Sequence, residues 1–289
     1  MRFGDYRVEV VPDAEFRLDG GAMFGVVPRA LWSRVCPPDG ENRVRLNMNC
    51  LFVEAGSERI LIETGAGDKW SPRQEAIYGI ARARPLPEAL RGATGFGAEE
   101  ITIVVNTHLH FDHAGGNTTR DASGRIVPTF PNARYFVSRA EYEHAENPHE
   151  RDRASYLPEN WRALAESGQL ELKEADYEIA PGLRMETIAG HSRTMQCVRL
   201  EREGRTLFGF ADLVPTRAHV PLAWIMGYDL YPVETLEAKK RLLPLAAREN
   251  WLCLFYHDAD APLCRVVEED GKLRAVGFED EQDGFVPGE

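Results

Sequence analysis

Short apolar runs alternate along the chain with longer stretches that have helical spacing. Continuous apolar runs and runs of alternating apolar and polar residues, bounded by Gly, Asp or Asn, predict strands. The predicted strands are 6–11, 16–21, 44–56, 59–65, 101–107, 133–138, 183–190, 197–203, 205–212 and 251–258. The third and fourth strands are expected to form a hairpin with Gly56, Ser57 and Glu58 near its turn.

Three segments carry the spacing of helices, and they are residues 139–147, 159–168 and 233–250. The last is the longest and contains Pro244. A proline inside a helix removes one backbone hydrogen bond and clashes with the preceding turn. We therefore predict that Pro244 kinks or interrupts this helix.

These elements fall into two strand-rich halves, which are expected to meet near residue 150. No linker, short repeat or low-complexity tract is recognisable in the sequence. Interspersed strands and helices of this kind predict one α/β domain over residues 1–289, with sheets sandwiched between helices.

Charge and cysteine content narrow the class of function. The 289 residues carry a formal net charge of -12, which disfavours nucleic acid and anionic membranes as partners. The five cysteines show no CxxC spacing, so neither a disulfide framework nor a cysteine zinc module is expected. Neither a signal peptide nor a membrane-spanning apolar run is recognisable. We expect a cytoplasmic protein that acts on a small molecule.

The sequence HLHFDH, residues 108–113, follows a predicted buried strand directly. Turns favour Gly, Asn, Asp and Pro, so three histidines serve no turn geometry. Imidazole and carboxylate groups do suit Zn²⁺. His108 and His110 are two residues apart in an extended segment, so both can point to one side. Asp112 and His113 follow where the chain turns, and could serve a second ion.

Three more residues that suit metal binding stand at the ends of predicted strands, namely His191, Asp212 and His257. Loops that leave strand ends commonly form the site in layered α/β folds. A single loop supplies too few ligands for two ions, so these residues are predicted to complete the site. Taken alone, a histidine at a strand end is more simply explained by ordinary hydrogen bonding.

Together, HLHFDH, GHS at 190–192, AD at 211–212 and YHD at 256–258 resemble the metallo-β-lactamase superfamily in order and spacing. The resemblance implies an αββα four-layer sandwich and two divalent metal ions, with zinc expected first and manganese, cobalt or iron as alternatives. It implies that one ion takes His108, His110 and His191, that the other takes Asp112, His113 and His257, and that Asp212 bridges them.

Within the superfamily, residues 19–32 and 211–232 resemble the quorum-quenching N-acyl-homoserine lactonases and related organophosphate hydrolases. One position departs from the lactonase pattern. The best-known members carry a tyrosine three residues after the bridging aspartate, where this chain has Pro215. Tyr228 is a candidate to replace that tyrosine.

Other residues could serve either the site or the packing of the fold. Glu63 ends a predicted strand and could hydrogen-bond the HLHFDH loop, or be solvated. His219 could face the pocket or be structural. Apolar residues that could wall a pocket or simply pack are Met23, Phe24, Trp32, Trp224 and Ile225. The segment 21–32 could also be a dimer contact or a lid.

The resemblance implies hydrolysis of a lactone ester bond by a hydroxide that bridges the two metal ions. Asp112 could also carry the proton to the leaving group. The same hydroxide suits a phosphotriester, so a promiscuous phosphotriesterase activity is expected. Alternatives are a glyoxalase-II-like thioesterase, an organophosphate hydrolase, or a metal-stabilised binding protein without turnover. Seven ligands argue against the last, because a structural zinc site needs four.

Overall fold

The computed structural model describes residues 1–278. The strands are β1 (Arg2–Phe3), β2 (Tyr6–Asp19), β3 (Arg43–Ala55), β4 (Glu58–Ile62), β5 (Ile103–Val105), β6 (Thr118–Arg120), β7 (Ile126–Pro128), β8 (Arg134–Ser138), β9 (Leu170–Lys173), β10 (Tyr177–Ala180), β11 (Leu183–Thr187), β12 (Gln196–Arg202), β13 (Arg205–Gly209), β14 (Leu252–Leu254), β15 (Leu263–Glu269) and β16 (Lys272–Gly277). The α-helices are α1 (Gly20–Phe24), α2 (Arg29–Trp32), α3 (Pro72–Tyr78), α4 (Leu86–Thr94), α5 (Phe111–Ala114), α6 (Arg139–Glu146), α7 (Arg162–Glu166) and α8 (Pro232–Arg248).

The strands form two large sheets, with β6 and β7 as a separate small pair. The first sheet has the order β1-β2-β3-β4-β5-β8-β9, and the second has the order β10-β11-β12-β13-β14-β15-β16. In the first sheet, β4, β5, β8 and β9 run parallel to one another, whereas β3 and β4 are antiparallel. In the second, only the β13–β14 pair is parallel among the described strands. The chain passes from one sheet to the other between Lys173 and Tyr177, later than the expected meeting point near residue 150, because β9 still pairs with β8.

The two sheets face each other across a shared apolar core. Apolar side chains of both sheets meet there, among them Leu51, Ile60, Val105, Met185, Leu200 and Leu252. On the outer side of the first sheet, α4 contributes Leu86 and Leu90. On the outer side of the second sheet, α8 contributes Leu242 and Leu243. The layers are therefore helix, sheet, sheet and helix, and the predicted αββα sandwich is confirmed.

Two local predictions are corrected. The predicted strands 6–11 and 16–21 are parts of one long strand, β2, because both pair with β3 on either side of an irregularity between Pro12 and Glu15. Helix α8 continues through Pro244 to Arg248, so the predicted interruption does not occur. Pro244 lies close to the end of α8, and the neighbouring Leu242 and Leu243 hold that turn in the core. No helix within residues 1–278 is long and apolar enough to cross a bilayer.

Candidate metal centre

The seven predicted ligands converge at one edge of the sandwich. The HLHFDH segment follows β5, and the other three ligands follow β11, β13 and β14. All seven side chains are buried. Five of the seven residues lie in the segments that directly follow these strands, and Asp112 and His113 lie in the short helix α5. Their positions are therefore set by the packed sandwich rather than by long free loops.

The ligands form two groups, and within each group one potential ligand atom per residue lies within 4.8 Å of all the others. The first group is His108, His110, His191 and Asp212, and the second is Asp112, His113 and His257. In the first group, His110 Nδ1 lies 3.1 Å from His108 Nε2 and 3.2 Å from His191 Nε2. His108 and His191 thus direct Nε2 toward the centre of the group, whereas His110 directs Nδ1 toward it.

Asp212 joins the two groups through its two carboxylate oxygens. Its Oδ1 lies 3.1 Å from His113 Nε2 and 3.1 Å from His257 Nε2. Its Oδ2 lies 3.5 Å from His191 Nε2. Each oxygen therefore faces a different group, which is the arrangement that a bridging carboxylate requires.

The donor set fits divalent metal ions. With zinc–nitrogen distances of about 2.0–2.1 Å, two ligand atoms of a tetrahedral site lie about 3.3–3.4 Å apart. The distances within the groups and between Asp212 and the second group, from 3.1 to 3.5 Å, are close to that separation. Two of the inward atoms, His113 Nε2 and Asp212 Oδ1, are buried without a hydrogen-bond partner among the described residues. The arrangement therefore suits a dinuclear metal site.

The outward nitrogens of three histidines are hydrogen-bonded to other groups. Their partners are Thr107 Oγ1 for His108 Nδ1 at 3.0 Å, Asp229 Oδ1 for His191 Nδ1 at 3.0 Å, and the Asn47 carbonyl for His257 Nδ1 at 2.9 Å. His113 Nδ1 lies 3.3 Å from Glu63 Oε1 without a hydrogen bond. Such partners fix the ring orientation and the tautomer of a metal-binding histidine. The inward nitrogens are thereby directed at the centre before any metal is bound.

Electrostatics within the cluster are dominated by burial and by Asp212. Burial lowers the pKa values of His108 and His110, so both rings are neutral and able to bind metal. Burial also opposes protonation of His113, but Asp212 and Glu63 outweigh it and raise the pKa of that ring. Burial opposes the charge of Asp212, but His113, His257 and His191 outweigh it and lower the pKa of that carboxyl.

Of the two roles predicted for Glu63, solvation or contact with the HLHFDH loop, the structure has the contact with the loop. Besides approaching His113, its Oε1 accepts a hydrogen bond of 3.1 Å from the backbone N–H of Thr107. Glu63 itself has a φ of 69°, a conformation that costs free energy for a residue with a side chain. The strained turn directs its carboxylate into the centre rather than into solvent.

Gly115 and Gly116 allow the loop to pack closely. A Cβ built on Gly115 would overlap the carbonyl of Ala66, and one built on Gly116 would overlap the carbonyl of Thr64. The Thr64 N–H donates to the His113 carbonyl at 2.8 Å. The two glycines therefore let the backbone after β4 approach and hold the ligand loop.

The other pocket candidates lie apart from the ligands. Met23, Phe24, His219 and Trp224 line a cavity of about 490 Å³ that none of the seven ligands borders. His219 is 1% exposed, and its ring stacks on Phe24. Its Nε2–H donates to the Met23 carbonyl at 2.8 Å, and its Nδ1 lies 2.8 Å from Thr216 Oγ1. Trp32 also stacks on Phe24, is 1% exposed, and is not among the residues that line this cavity.

Tyr228 lies in the segment that precedes Asp229, the partner of His191. Its side chain is 39% exposed. Burial raises the pKa of its phenol to about 12, and the nearby carboxylates of Asp19 and Asp112 act in the same direction. Tyr228 therefore stays protonated at neutral pH and can donate a hydrogen bond.

Apart from Glu63, sequence reasoning missed the groups that support the ligands. Asp229 holds His191 and is itself held by Thr235 Oγ1 at 2.6 Å. Glu141 is fully buried beside the HLHFDH loop. Asp229 is an isolated acid shortly before a predicted helix, and this position could have marked it as a supporting group. Glu141 lies in a helix rich in charged residues, where nothing in the sequence distinguishes it from a solvated glutamate.

Comparisons with known proteins agree with this geometry. The metallo-beta-lactamase superfamily model matches residues 44–257. An N-acyl homoserine lactonase of Bacillus cereus is 28% identical over 244 residues, which cover 79% of this chain and 88% of that protein. The structure of a probable metal-dependent hydrolase from Staphylococcus aureus is 29% identical, with a TM-score of 0.87, and the match covers 96% of this chain and 99% of that one.

AidC, a dizinc quorum-quenching lactonase, has a TM-score of 0.78 at 18% identity, with 96% of each chain covered. At that identity the likeness concerns the fold. The family match spans most of the chain and includes all seven clustered residues, and the predicted sandwich is present. The chain therefore belongs to the metallo-β-lactamase superfamily and is a metal-dependent hydrolase.

Proposed function

We propose that this protein hydrolyses N-acyl-homoserine lactones at a pair of divalent metal ions. The observation that carries the proposal is Asp212, which presents one oxygen to each ligand group. Curated relatives that match more than two thirds of the chain are N-acyl homoserine lactonases, which supports the choice of a lactone. His108, His110 and His191 would hold one ion, Asp112, His113 and His257 the other, and Asp212 would bridge them.

When bound, such a metal pair lowers the pKa of water and polarises a carbonyl, which is the chemistry that ester hydrolysis needs. The protein supplies the rest. Asp112 Oδ2 lies 3.5 Å from His257 Nε2, at the second ligand group. We propose that this carboxylate also takes a proton from the attacking water and passes it to the leaving alkoxide.

The tyrosine that the resemblance leads one to expect at position 215 is replaced by a proline with a backbone role. The carbonyl of Pro215 accepts a hydrogen bond of 2.8 Å from the N–H of His257. Tyr228 is the proposed substitute, because it is protonated, 39% exposed and close enough to Asp112 for that charge to affect its pKa. It would donate to the carbonyl of the lactone.

We further propose that the enzyme is a homodimer and that it is cytoplasmic. The segment 21–35 exposes Val26 (91%), Leu31 (48%) and Val35 (58%), which supports a homodimer that covers them. All five cysteines are free, which suits the reducing cytoplasm. Size-exclusion chromatography with light scattering tests the first, and a molecular mass of one chain at micromolar concentration would contradict it.

A substrate panel tests the function. The purified enzyme is loaded with zinc, manganese, cobalt or iron and given acyl-homoserine lactones, simple γ-lactones, paraoxon-like phosphotriesters and glutathione thioesters. We expect the acyl-homoserine lactones to give the highest kcat/KM, with slower cleavage of the triesters. Cleavage of thioesters alone would instead indicate the glyoxalase-II-like alternative, and preference for triesters an organophosphate hydrolase.

Chelation and a matched pair of variants test the role of the metal. We expect EDTA to abolish lactone hydrolysis and added metal to restore it. Asp212→Ala should lower kcat/KM by at least about 10³-fold, because it removes a ligand from both groups. Asp260→Ala is the control, since that carboxylate is exposed and contacts Arg45 and Arg217, outside both groups. Full activity of Asp212→Ala would refute the mechanism.

A further inference from the structure

Glu141 is a buried carboxylate that belongs to neither ligand group but contacts both of the loops that supply the histidines of the first group. It lies in α6, and its side chain is fully buried. Burying a carboxylate is costly unless hydrogen bonds satisfy its oxygens. Three donors do so here, and each comes from an element outside α6.

The first contacts fix the HLHFDH loop. Oε1 of Glu141 accepts a hydrogen bond of 2.8 Å from the backbone N–H of Leu109, the residue between His108 and His110. The same oxygen accepts a 3.0 Å hydrogen bond from the hydroxyl of Tyr156. The Tyr156 ring packs edge-on against the ring of His110, with centroids 4.6 Å apart.

The second contact fixes the loop after β11. Oε2 of Glu141 accepts a hydrogen bond of 2.5 Å from the Thr194 hydroxyl, three residues beyond His191. That hydroxyl also lies 3.2 Å from Ser192 Oγ, which in turn accepts from the N–H of Met195 at 2.9 Å. The two oxygens of one carboxylate therefore span the gap between the two loops.

We infer that Glu141 is a positioning residue that sets the spacing between these loops, and so controls the affinity of one metal ion of the pair. The inference rests on the metal pair of the proposed function. Only the first ligand group takes histidines from both loops, since His108 and His110 come from one and His191 from the other. The second group uses no residue of the loop after β11.

Three substitutions separate the contacts. Glu141→Leu removes all three acceptor contacts. Thr194→Val removes only the contact to the loop after β11 and leaves those to Leu109 and Tyr156. Glu141→Gln can keep its carbonyl on Leu109 and Tyr156 and donate from its amide to Thr194, so it should restore most of the wild-type behaviour.

Glu146→Leu is the matched control. Glu146 lies in the same helix, is exposed, and accepts a hydrogen bond of 2.6 Å from Trp161 Nε1. Its hydrogen bond goes to neither ligand loop. This variant therefore loses a glutamate and a hydrogen bond of α6 without loosening the contact between the loops.

The experiment is a zinc titration of the metal-free full chain against a chromophoric chelator, with thermal unfolding measured in parallel. We expect wild type to bind two equivalents. Glu141→Leu and Thr194→Val should weaken one equivalent by about 10–100-fold and leave the other within about threefold. Glu141→Gln and Glu146→Leu should stay close to wild type.

Two outcomes would overturn the inference. One is wild-type affinity for both equivalents in Thr194→Val and Glu141→Leu. The other is equal weakening of both equivalents together with a lower Tm, which indicates a general structural role. The lactone assay on wild type separates this test from that of the proposed function. A wild-type chain that binds two equivalents but cleaves no lactone refutes the substrate, while the titration still decides the role of Glu141.

Discussion

Lys239 provides a sharp test of how the segment beside the cavity is held. This lysine of α8 is fully buried, and its ammonium donates to the carbonyls of His219 (2.6 Å), Pro221 (2.9 Å) and Trp224 (2.7 Å). Lys239→Met keeps most of the length of the side chain but leaves all three carbonyls without their donor.

The cost of this change follows from the burial of each partner. The His219 carbonyl bond is buried, so losing its donor costs about 1–3 kcal/mol. The other two bonds are partly buried, and replacing them with water costs about 0.5–1.5 kcal/mol each. Burial lowers the pKa of Lys239 to about 7, so relief from burying the charge offsets part of this loss. The expected net destabilisation is about 2–4 kcal/mol.

The assay is urea unfolding at pH 6, with the free energy of unfolding extrapolated to water. Lys240→Met is the matched control, because Lys240 is the next residue, is 48% exposed and pairs only with Glu237 among the described residues. Its change should remain within about 0.5 kcal/mol. If both variants unfold at the same urea concentration as wild type, the three carbonyl contacts do not stabilise the fold and the reasoning is wrong.

Three more predictions follow from single contacts. Asp229→Asn should weaken metal binding by about 10–100-fold in a chelator titration, because the carboxylate no longer orients His191; unchanged affinity would contradict this. Gly116→Ala should lower the free energy of unfolding by about 1–3 kcal/mol, because its Cβ overlaps the Thr64 carbonyl; Gly40→Ala is the control, since a Cβ there meets nothing within 4 Å. Arg82→Met should cost about 3–5 kcal/mol in the same assay, since Asp13, with a side chain 1% exposed, loses its partner; a change below 1 kcal/mol would show that water replaces it.

The seven clustered residues were predictable from the sequence because their signals are local. Three histidines and an aspartate within 108–113 are rare outside metal sites, and strand patterns mark what precedes each of the remaining ligands. Apart from Glu63, the buried polar groups that support the site and the fold were not predictable in this way. Lys239 and Lys240 are adjacent and chemically identical, yet one is fully buried and the other is 48% exposed. Only the packing of α8 against the segment 219–224 distinguishes them.

The fold shows the same division between local and long-range information. Apolar patterns located β2–β5, β8 and β11–β14, but gave no prediction for β1, β9, β10, β15 and β16. They also could not tell that 6–11 and 16–21 are one strand. That continuity depends on pairing with β3, tens of residues further along the chain. For Pro244, the local penalty was read correctly, but packing of α8 on the second sheet outweighs it.

The passage between the two sheets, from Lys173 to Tyr177, divides the seven clustered residues as well as the strands. A backbone cut there would leave His108, His110, Asp112 and His113 on one fragment and His191, Asp212 and His257 on the other, so neither fragment would carry a complete group. Ions that bind only the joined form favour it by mass action. Two separately produced fragments should therefore reassemble more tightly in zinc than in EDTA, which would make the enzyme a metal-controlled split reporter.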